Sequence, residues 1–192
     1  AQGLDQNTLV IFTSDNGGAH YIGLDDLNKP YRGWKATFFE GGTRVPFFMQ
    51  LPGVIAPGSQ FTAPVSHFDI FATSAALAGV QPPADRVIDG VNLIPFARGE
   101  QGGRPHEQMF WRSGAYQVAR SGDWKLQVNE TQDKVWLFNL QDDPTEQHNL
   151  VDAEPARVKE LLAQLAEFNS QQKAPLWPSL VEAPILIDKP LN

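Results

Sequence analysis

Two side chains that carry oxygen, Asp15 and Asn16, stand at the end of the first apolar run of the chain, and two glycines follow them. The run, residues 8–14, is rich in β-branched and aromatic residues, a pattern typical of a buried strand. In open α/β sheets, ligands and ions bind at the carboxyl ends of strands. Carboxylate and amide oxygens suit Ca²⁺ or Mg²⁺. The pattern predicts a divalent-cation site, although Asn-Gly between apolar segments is also a strong hairpin signal.

Lys35 is the cation that would complement such a site. It stands in the sequence Gly-Trp-Lys-Ala-Thr, between glycine and small residues that permit close approach. An ammonium near a divalent metal is repelled unless an anion lies between them. Metal and ammonium together neutralise the charge of a sulfate or phosphate ester. The alternative is that Lys35 is an ordinary surface residue.

The composition restricts the classes of protein. The 192 residues include 15 Lys and Arg against 22 Asp and Glu, which gives a net charge of -7. This excess argues against a nucleic-acid partner or an anionic membrane surface. No apolar run approaches the roughly 20 residues that span a bilayer. Cys is absent, so this chain holds no disulfide, zinc–thiolate site or cysteine nucleophile.

The first part of the chain contains few regular elements. The polar residues 20–32 lack periodicity and are interpreted as a functional loop or a disordered segment. A second strand is predicted at 45–51 and a helix at 70–78, where apolar residues recur at helical spacing. Residues 80–106 are rich in Pro, Gly and charge, and are predicted to connect two parts of the chain.

An antiparallel meander and a helix are predicted for the rest. Turn residues separate four short apolar runs, at 108–112, 116–120, 124–129 and 135–140. Such tight connections leave no room for crossover helices. Pro155 suits the first position of a helix, and the apolar stripe that follows it is expected to pack on the meander. Residues 174–192 are predicted to form an extended tail that lies along a surface.

Several separate motifs resemble, in their order and spacing, those of sulfatases in the alkaline phosphatase superfamily. They are residues 14–18, 35–37, 40–46, 66–69 with 78–79, 89–93, 122–126, 137–140 with 143–146, and 149–150. The resemblance runs from about residue 4 to about residue 170 and is to the carboxyl-terminal half of the family.

The resemblance implies an α/β fold with two parts. Residues 1–106 are expected to be the carboxyl-terminal part of the large domain, in which a mixed sheet is flanked by helices. Residues 107–192 are expected to be a small subdomain made of the four-stranded antiparallel meander, its helix and the extended tail. Residues 40–46 match a mainly structural segment, a turn in which Arg44 is expected to be ion-paired.

The resemblance also implies roles for individual residues. Asp15 and Asn16 match the pair that ligates the active-site Ca²⁺ of sulfatases, with Mg²⁺ as the alternative ion. Lys35 matches the lysine that contacts the substrate's sulfate, and is therefore the candidate catalytic and substrate-binding residue. His20 is a candidate substrate contact, and both His20 and His67 are otherwise interpreted as structural or rim residues.

This sequence also departs from the family. Sulfatases use a formylglycine nucleophile made within a Cys/Ser-x-Pro-x-Arg motif, and the chain has no such motif. Two further aspartate ligands, a lysine and histidines of the family are also missing. Because the chain starts without Met or a signal-peptide pattern, we expect it to be the carboxyl-terminal portion of a longer protein, inactive alone.

The resemblance implies partners and a compartment as well. The substrate is expected to be a sulfate ester, either an aryl sulfate or a sulfated glycan, and the missing N-terminal portion is expected to complete the site. The location is expected to be periplasmic or secreted. Two alternatives stay open: a phosphate or phosphonate ester hydrolase of the same superfamily, and a non-catalytic domain derived from it.

Overall fold

The structure is a computed structural model that describes residues 2–24, 26–130 and 133–177. Residues 178–192 of the predicted tail therefore lie outside the described residues. In chain order the strands are β1 Val10–Thr13, β2 Phe47–Gln50, β3 Gln108–Ser113, β4 Tyr116–Ser121, β5 Trp124–Asn129 and β6 Lys134–Asn139. The α-helices are α1 Glu40–Thr43, α2 Asp69–Leu77, α3 Ile94–Ala97 and α4 Pro155–Ser170, and short 3₁₀ turns occur at Asp5–Asn7 and His20–Ile22.

These elements fall into two compact units. Of the described residues, the first unit contains 2–12 and 47–107, and the second contains those within 13–46 and 108–177. A boundary near residue 107 recurs in this grouping, whereas residues 13–46 group with the meander. The division of the protein into domains at residues 1–106 and 107–192 stays a prediction. Within the described part of the chain, no helix is both long enough and apolar enough to cross a membrane.

In the first unit, strands β1 and β2 pair in a two-stranded sheet. Both strands lie where the sequence predicts them, but the expected burial of the first strand is wrong. Phe12 and Phe48 are each 65% exposed and Val10 is 53% exposed. The physical reason is that a sheet of two strands leaves apolar side chains uncovered unless another layer packs on it.

A buried carboxylate organises the remainder of the first unit. Asp69, at the start of α2, accepts the backbone N–H of Val91 at 2.9 Å and that of Ser66 at 2.7 Å. The Nε2 atom of His106 lies 2.8 Å from the same carboxylate. Asp69 therefore fixes the beginning of the predicted helix against two distant loops. Sequence reasoning missed this contact, because residues 37 positions apart leave no local pattern.

The second unit is built on a four-stranded antiparallel sheet in the order β3-β4-β5-β6. This confirms the predicted meander. One face packs Val118 and Phe138 against Phe39 of the preceding segment. The other face packs Leu126 and Leu137, together with Ala119, on the leucines of α4. The helix therefore covers the sheet as the apolar stripe predicts, and the sheet is buried on both faces.

A network of buried charges lies within this unit. The Lys125 Nζ atom is 2.8 Å from Glu40 Oε1 and 3.0 Å from Glu146 Oε1. All three residues are at most 3% exposed. Gln127 donates to Glu146 Oε1 at 3.0 Å, and Tyr116 donates from its hydroxyl to Gln127 Oε1 at 2.5 Å. The network joins β5 to α1 and to the segment after β6.

The three charged groups shift one another's pKa values. Burial alone raises the pKa of Glu40, but the Lys125 ammonium, with Arg120 and Arg44, outweighs burial and holds that pKa below its ordinary value. Burial raises the pKa of Glu146, with the Glu40 carboxylate adding to the rise. The two carboxylates together raise the pKa of Lys125 despite its burial. Arg44, 3.7 Å from Glu40, adds a cation at the edge and is ion-paired as predicted.

The network predicts that Lys125→Met destabilises the protein. Removing the ammonium leaves two carboxylates buried without their counter-charge, so we expect the free energy of unfolding to fall by about 3–5 kcal/mol. The difference from wild type should narrow as the pH falls below 4.5. Ionised Glu40, whose folded pKa is depressed, stabilises the wild type above that value and loses its contribution as it becomes protonated.

Urea unfolding at several pH values measures this effect. Lys159→Met on the exposed side of α4 is the matched control and should change stability by less than about 0.5 kcal/mol. Equal effects of the two substitutions would contradict the structural importance of the network.

Candidate functional site

The candidate cation ligands lie in the loop that follows β1. Asn16 donates from Nδ2 to Asp15 Oδ2 at 2.7 Å, and Ser14 donates from its hydroxyl to the backbone oxygen of Asn16 at 2.8 Å. Asp15 is exposed and Asn16 is half-buried. The Asn16 side-chain nitrogen therefore faces the Asp15 carboxylate.

The glycines after these ligands allow a backbone-to-backbone contact with α1. The N–H of Gly17 donates to the carbonyl of Gly42 at 2.9 Å. A Cβ on Gly17 would lie 1.8 Å from the Gly41 oxygen, and one on Gly42 would lie 2.0 Å from the Thr37 oxygen. Only glycine fits at these positions. The Gly-Gly pair at 41–42, predicted to be a turn, lies in a single helical turn.

Lys35 lies in a tight turn beside the same loop. Its backbone N–H donates to the carbonyl of Gly18 at 3.2 Å. The turn is closed by Thr37, whose N–H donates to the Trp34 carbonyl at 2.8 Å and whose hydroxyl oxygen accepts the Trp34 N–H at 3.0 Å. The Lys35 side chain is exposed. The backbone thus brings the predicted lysine next to the loop of the predicted cation ligands.

Asn28 strengthens this contact, and sequence reasoning missed it. Its Oδ1 accepts the N–H of Gly18 at 2.7 Å, and its Nδ2 donates to the carbonyls of Gly18 at 2.9 Å and Gly33 at 3.3 Å. Asn commonly replaces regular backbone pairing in loops in this way. The only available signal was its type, an amide within the polar segment 20–32.

The two histidines singled out in the sequence have different outcomes. The backbone of His20 forms part of the 3₁₀ turn His20–Ile22, and its side chain lies outside what the structure describes. Its role as a substrate contact stays a prediction. His67 lies in the first unit and is exposed.

The donors in the loop fit a hard divalent cation in type but not in number. Asp15 and Asn16 offer carboxylate and amide oxygens, which Ca²⁺ and Mg²⁺ prefer. Ca²⁺ takes about 6–8 oxygen ligands. Among residues 2–24, 26–130 and 133–177, no group of three or more His, Asp or Glu side chains is placed to hold a metal. The described residues alone therefore do not form a complete cation site.

Comparison with known proteins gives the class of protein. Residues 1–80 match the family model described as Sulfatase. The chain is 41% identical over 149 residues to steryl-sulfatase of Rattus norvegicus, and the aligned region covers 74% of this chain and 25% of that protein. It is 40% identical over 129 residues to N-acetylgalactosamine-6-sulfatase of Mus musculus, which covers 66% of this chain and 24% of that protein.

A solved structure has the same fold. The crystal structure of Ps i-CgsB in complex with k-i-k-neocarrahexaose matches with a TM-score of 0.78 and 29% identity, covering 91% of this chain and 39% of that one. The chain is therefore sulfatase-like in sequence and has an alkaline phosphatase-like α/β fold, which confirms the resemblance. It spans about a quarter of the length of the curated relatives.

The glycine contacts predict that Gly17→Ala destabilises the protein. The added methyl group would overlap the Gly41 carbonyl, so the loop of Asp15 must move away from α1. We expect the free energy of unfolding to fall by about 1–3 kcal/mol, the usual cost of overpacking.

Thermal or urea unfolding checks this prediction. Gly102→Ala is the control, because a Cβ there meets nothing within 4 Å and its φ is not positive. That variant should be neutral or slightly more stable than wild type. If Gly17→Ala were as stable as Gly102→Ala, the close approach of the two loops would be disproved.

Proposed function

We propose that this chain is part of a sulfuric ester hydrolase, to which it supplies cation ligands and a sulfate-contacting lysine. Asp15 and Asn16 are the ligands, and Lys35 contacts the sulfate. The observation that carries the proposal is the backbone contact of Lys35 with Gly18 at 3.2 Å. It holds an ammonium-bearing turn against the loop that carries two hard oxygen donors. An anion between an ammonium and a divalent cation is attracted by both.

The proposal divides the active site between this chain and other residues of the protein. The chain spans 25% of the steryl-sulfatase and 39% of the Ps i-CgsB chain that it matches. We propose that the N-terminal portion supplies the remaining cation ligands and the formylglycine nucleophile. In this arrangement the chain alone does not turn over substrate.

Ca²⁺ is the proposed cation, with Mg²⁺ as the alternative. Ca²⁺ accepts irregular sets of oxygen ligands, whereas Mg²⁺ demands near-ideal octahedral geometry and keeps several waters. An amide and a carboxylate on adjacent loop residues fit the first requirement better. The bound cation would supply positive charge that polarises the ester's sulfate.

Lys35 has a separate task in the proposal. Its ammonium is a compact charge with three donors, on a flexible stem that reaches outward from a fixed turn. Charge that develops on the sulfate oxygens and the leaving oxygen in the transition state is stabilised by donors that are already in place. The turn closed by Thr37 keeps the Lys35 backbone in place, because hydrogen bonds from both the backbone and the hydroxyl of Thr37 join it to Trp34.

The proposed substrate is a sulfate ester, either an aryl sulfate or a sulfated glycan. Relatives are named for a steryl sulfate and for N-acetylgalactosamine 6-sulfate, and one similar structure contains a neocarrahexaose. These names support the ester class, and both kinds of alcohol are therefore to be tested. A periplasmic or secreted location is part of the proposal, as the sequence resemblance implies.

The proposed ligand role predicts that Asp15→Ala weakens cation binding by the intact protein. Loss of an outer-shell partner typically costs about 10- to 100-fold in metal affinity, and a direct ligand should cost at least as much. Calorimetric titration with Ca²⁺ and with Mg²⁺ measures the change. Asp152→Ala, at an exposed position before α4, is the matched control and should bind as wild type does. Unchanged affinity in Asp15→Ala would remove this residue from the site.

The proposed sulfate contact predicts that Lys35→Ala lowers kcat/KM of the intact enzyme for 4-nitrophenyl sulfate by about 10²–10³-fold, the usual cost of removing a donor to the transition state. Lys159→Ala on α4 should have no effect. A Lys35→Ala variant with wild-type kcat/KM would contradict the contact. Hydrolysis of a phosphate or phosphonate ester in place of the sulfate would contradict the proposed class.

A further inference from the structure

Glu146 makes two unusual contacts in the second unit. It is fully buried, and its φ of 57° lies in the left-handed region that residues other than glycine rarely adopt. Its Oε2 atom accepts the backbone N–H of Glu40 at 2.5 Å. Its backbone oxygen accepts a hydrogen bond from Arg32 Nη1 at 3.1 Å. One residue therefore holds two points of another segment, more than 100 positions away in the sequence.

Those two points are the ends of a closed loop. The N–H of Gly41, next to Glu40, donates to the carbonyl of Arg32 at 2.7 Å. The Arg32 guanidinium also lies over the ring of Phe39, 4.3 Å from its centroid. Lys35 lies within this loop of residues 32–41, which we call the lysine loop. Glu146 thus holds both ends of the segment that carries the proposed sulfate contact.

A contribution to stability does not by itself explain why a charged residue occupies the buried position 146. A buried ion pair is usually no more stabilising than apolar residues of similar volume. An ionised carboxylate offers something an apolar side chain lacks, namely strong acceptors for backbone N–H groups. Lys125 and Gln127 both donate to Oε1, while Oε2 faces the lysine loop. Lys125 contacts one carboxylate oxygen of Glu146, and the other oxygen accepts the N–H of Glu40 in the loop.

From these contacts we infer that Glu146 is a positioning residue for Lys35. It fixes the ends of the lysine loop and thereby sets where the Lys35 ammonium meets the sulfate. The inference rests on the proposed function for the role of Lys35. Glu146 is fully buried, so in this inference it acts through the loop and not by touching the substrate or the cation. Its carboxylate makes polar contacts with other groups of this chain, namely Lys125, Gln127 and the Glu40 N–H.

A double-mutant cycle on the intact enzyme tests the inference. Glu146→Gln keeps the shape of the side chain and removes its charge, and we expect kcat/KM for 4-nitrophenyl sulfate to fall about 10- to 100-fold, the scale expected for a displaced catalytic group. In the Lys35→Ala background the same substitution should lower kcat/KM less than about 3-fold, because interacting residues are not additive. Glu167→Gln on α4 is the matched control and should have no effect.

A merely structural role of Glu146 would lower kcat/KM by the same factor in wild type and in Lys35→Ala. If Glu146→Gln has equal effects in these two proteins, the inference is overturned. If Glu146→Gln does not fold, as judged by circular dichroism, Glu146→Asp takes its place. The aspartate keeps the charge and shortens the reach, and it should give the same loss of additivity with a smaller drop.

Hydrogen exchange of the Glu40 and Lys35 amides separates this inference from the proposed function. We expect exchange to be about 10-fold faster or more in Glu146→Gln than in Glu167→Gln, because a charge-assisted hydrogen bond to the loop is weakened. Unchanged exchange would overturn the inference whatever the activity. Faster exchange in a protein where Lys35→Ala leaves the activity intact would overturn the proposed role of Lys35, while the anchoring of the loop would stand.

Discussion

The buried ammonium of Lys125 is the interaction on which the second unit depends. It lies on a central strand and is in contact with two carboxylates from segments far apart in the sequence, Glu40 and Glu146. None of the three can be moved into the interior alone, because an unpaired buried charge costs several kcal/mol. The pairing therefore requires α1 and the segment after β6 to approach the sheet together. This approach places the lysine loop beside the loop of Asp15.

A second constraint is steric and lies in the backbone. Glycines form the contact between the loop after β1 and helix α1, where the N–H of Gly17 donates a hydrogen bond to the carbonyl of Gly42. Neither apolar cluster among the described residues includes the loop of Asp15. Hydrogen bonds between backbone groups and the bridging amide of Asn28 take that place. The exposed side chains of Asp15 and Lys35 are thus carried on loops that backbone hydrogen bonds and Asn28 join together.

Sequence reasoning predicted the parts of this structure that repeat along the chain. Short apolar runs separated by turn residues predicted the four strands of the meander, and the apolar stripe after Pro155 predicted the covering helix. It missed Asn28 and the ends of the lysine loop, since polar contacts between distant segments leave no period in a sequence. It also predicted burial for Phe12, which is exposed. An apolar strand pattern indicates that a side chain favours burial. It does not indicate which element of the structure would cover that side chain.

The shape of the candidate site follows from the same division between local and distant contacts. Asp15 and Asn16 are neighbours in sequence, so a single loop carries both, and a hydrogen bond joins their side chains. Lys35 comes from another segment, and its distance to that loop depends on contacts made up to 114 positions away, at Glu146. An ammonium and a metal cation that bind the same anion repel each other. The protein must therefore hold each of the two positive charges in place. Anchoring the lysine loop at both ends supplies that restraint for the ammonium.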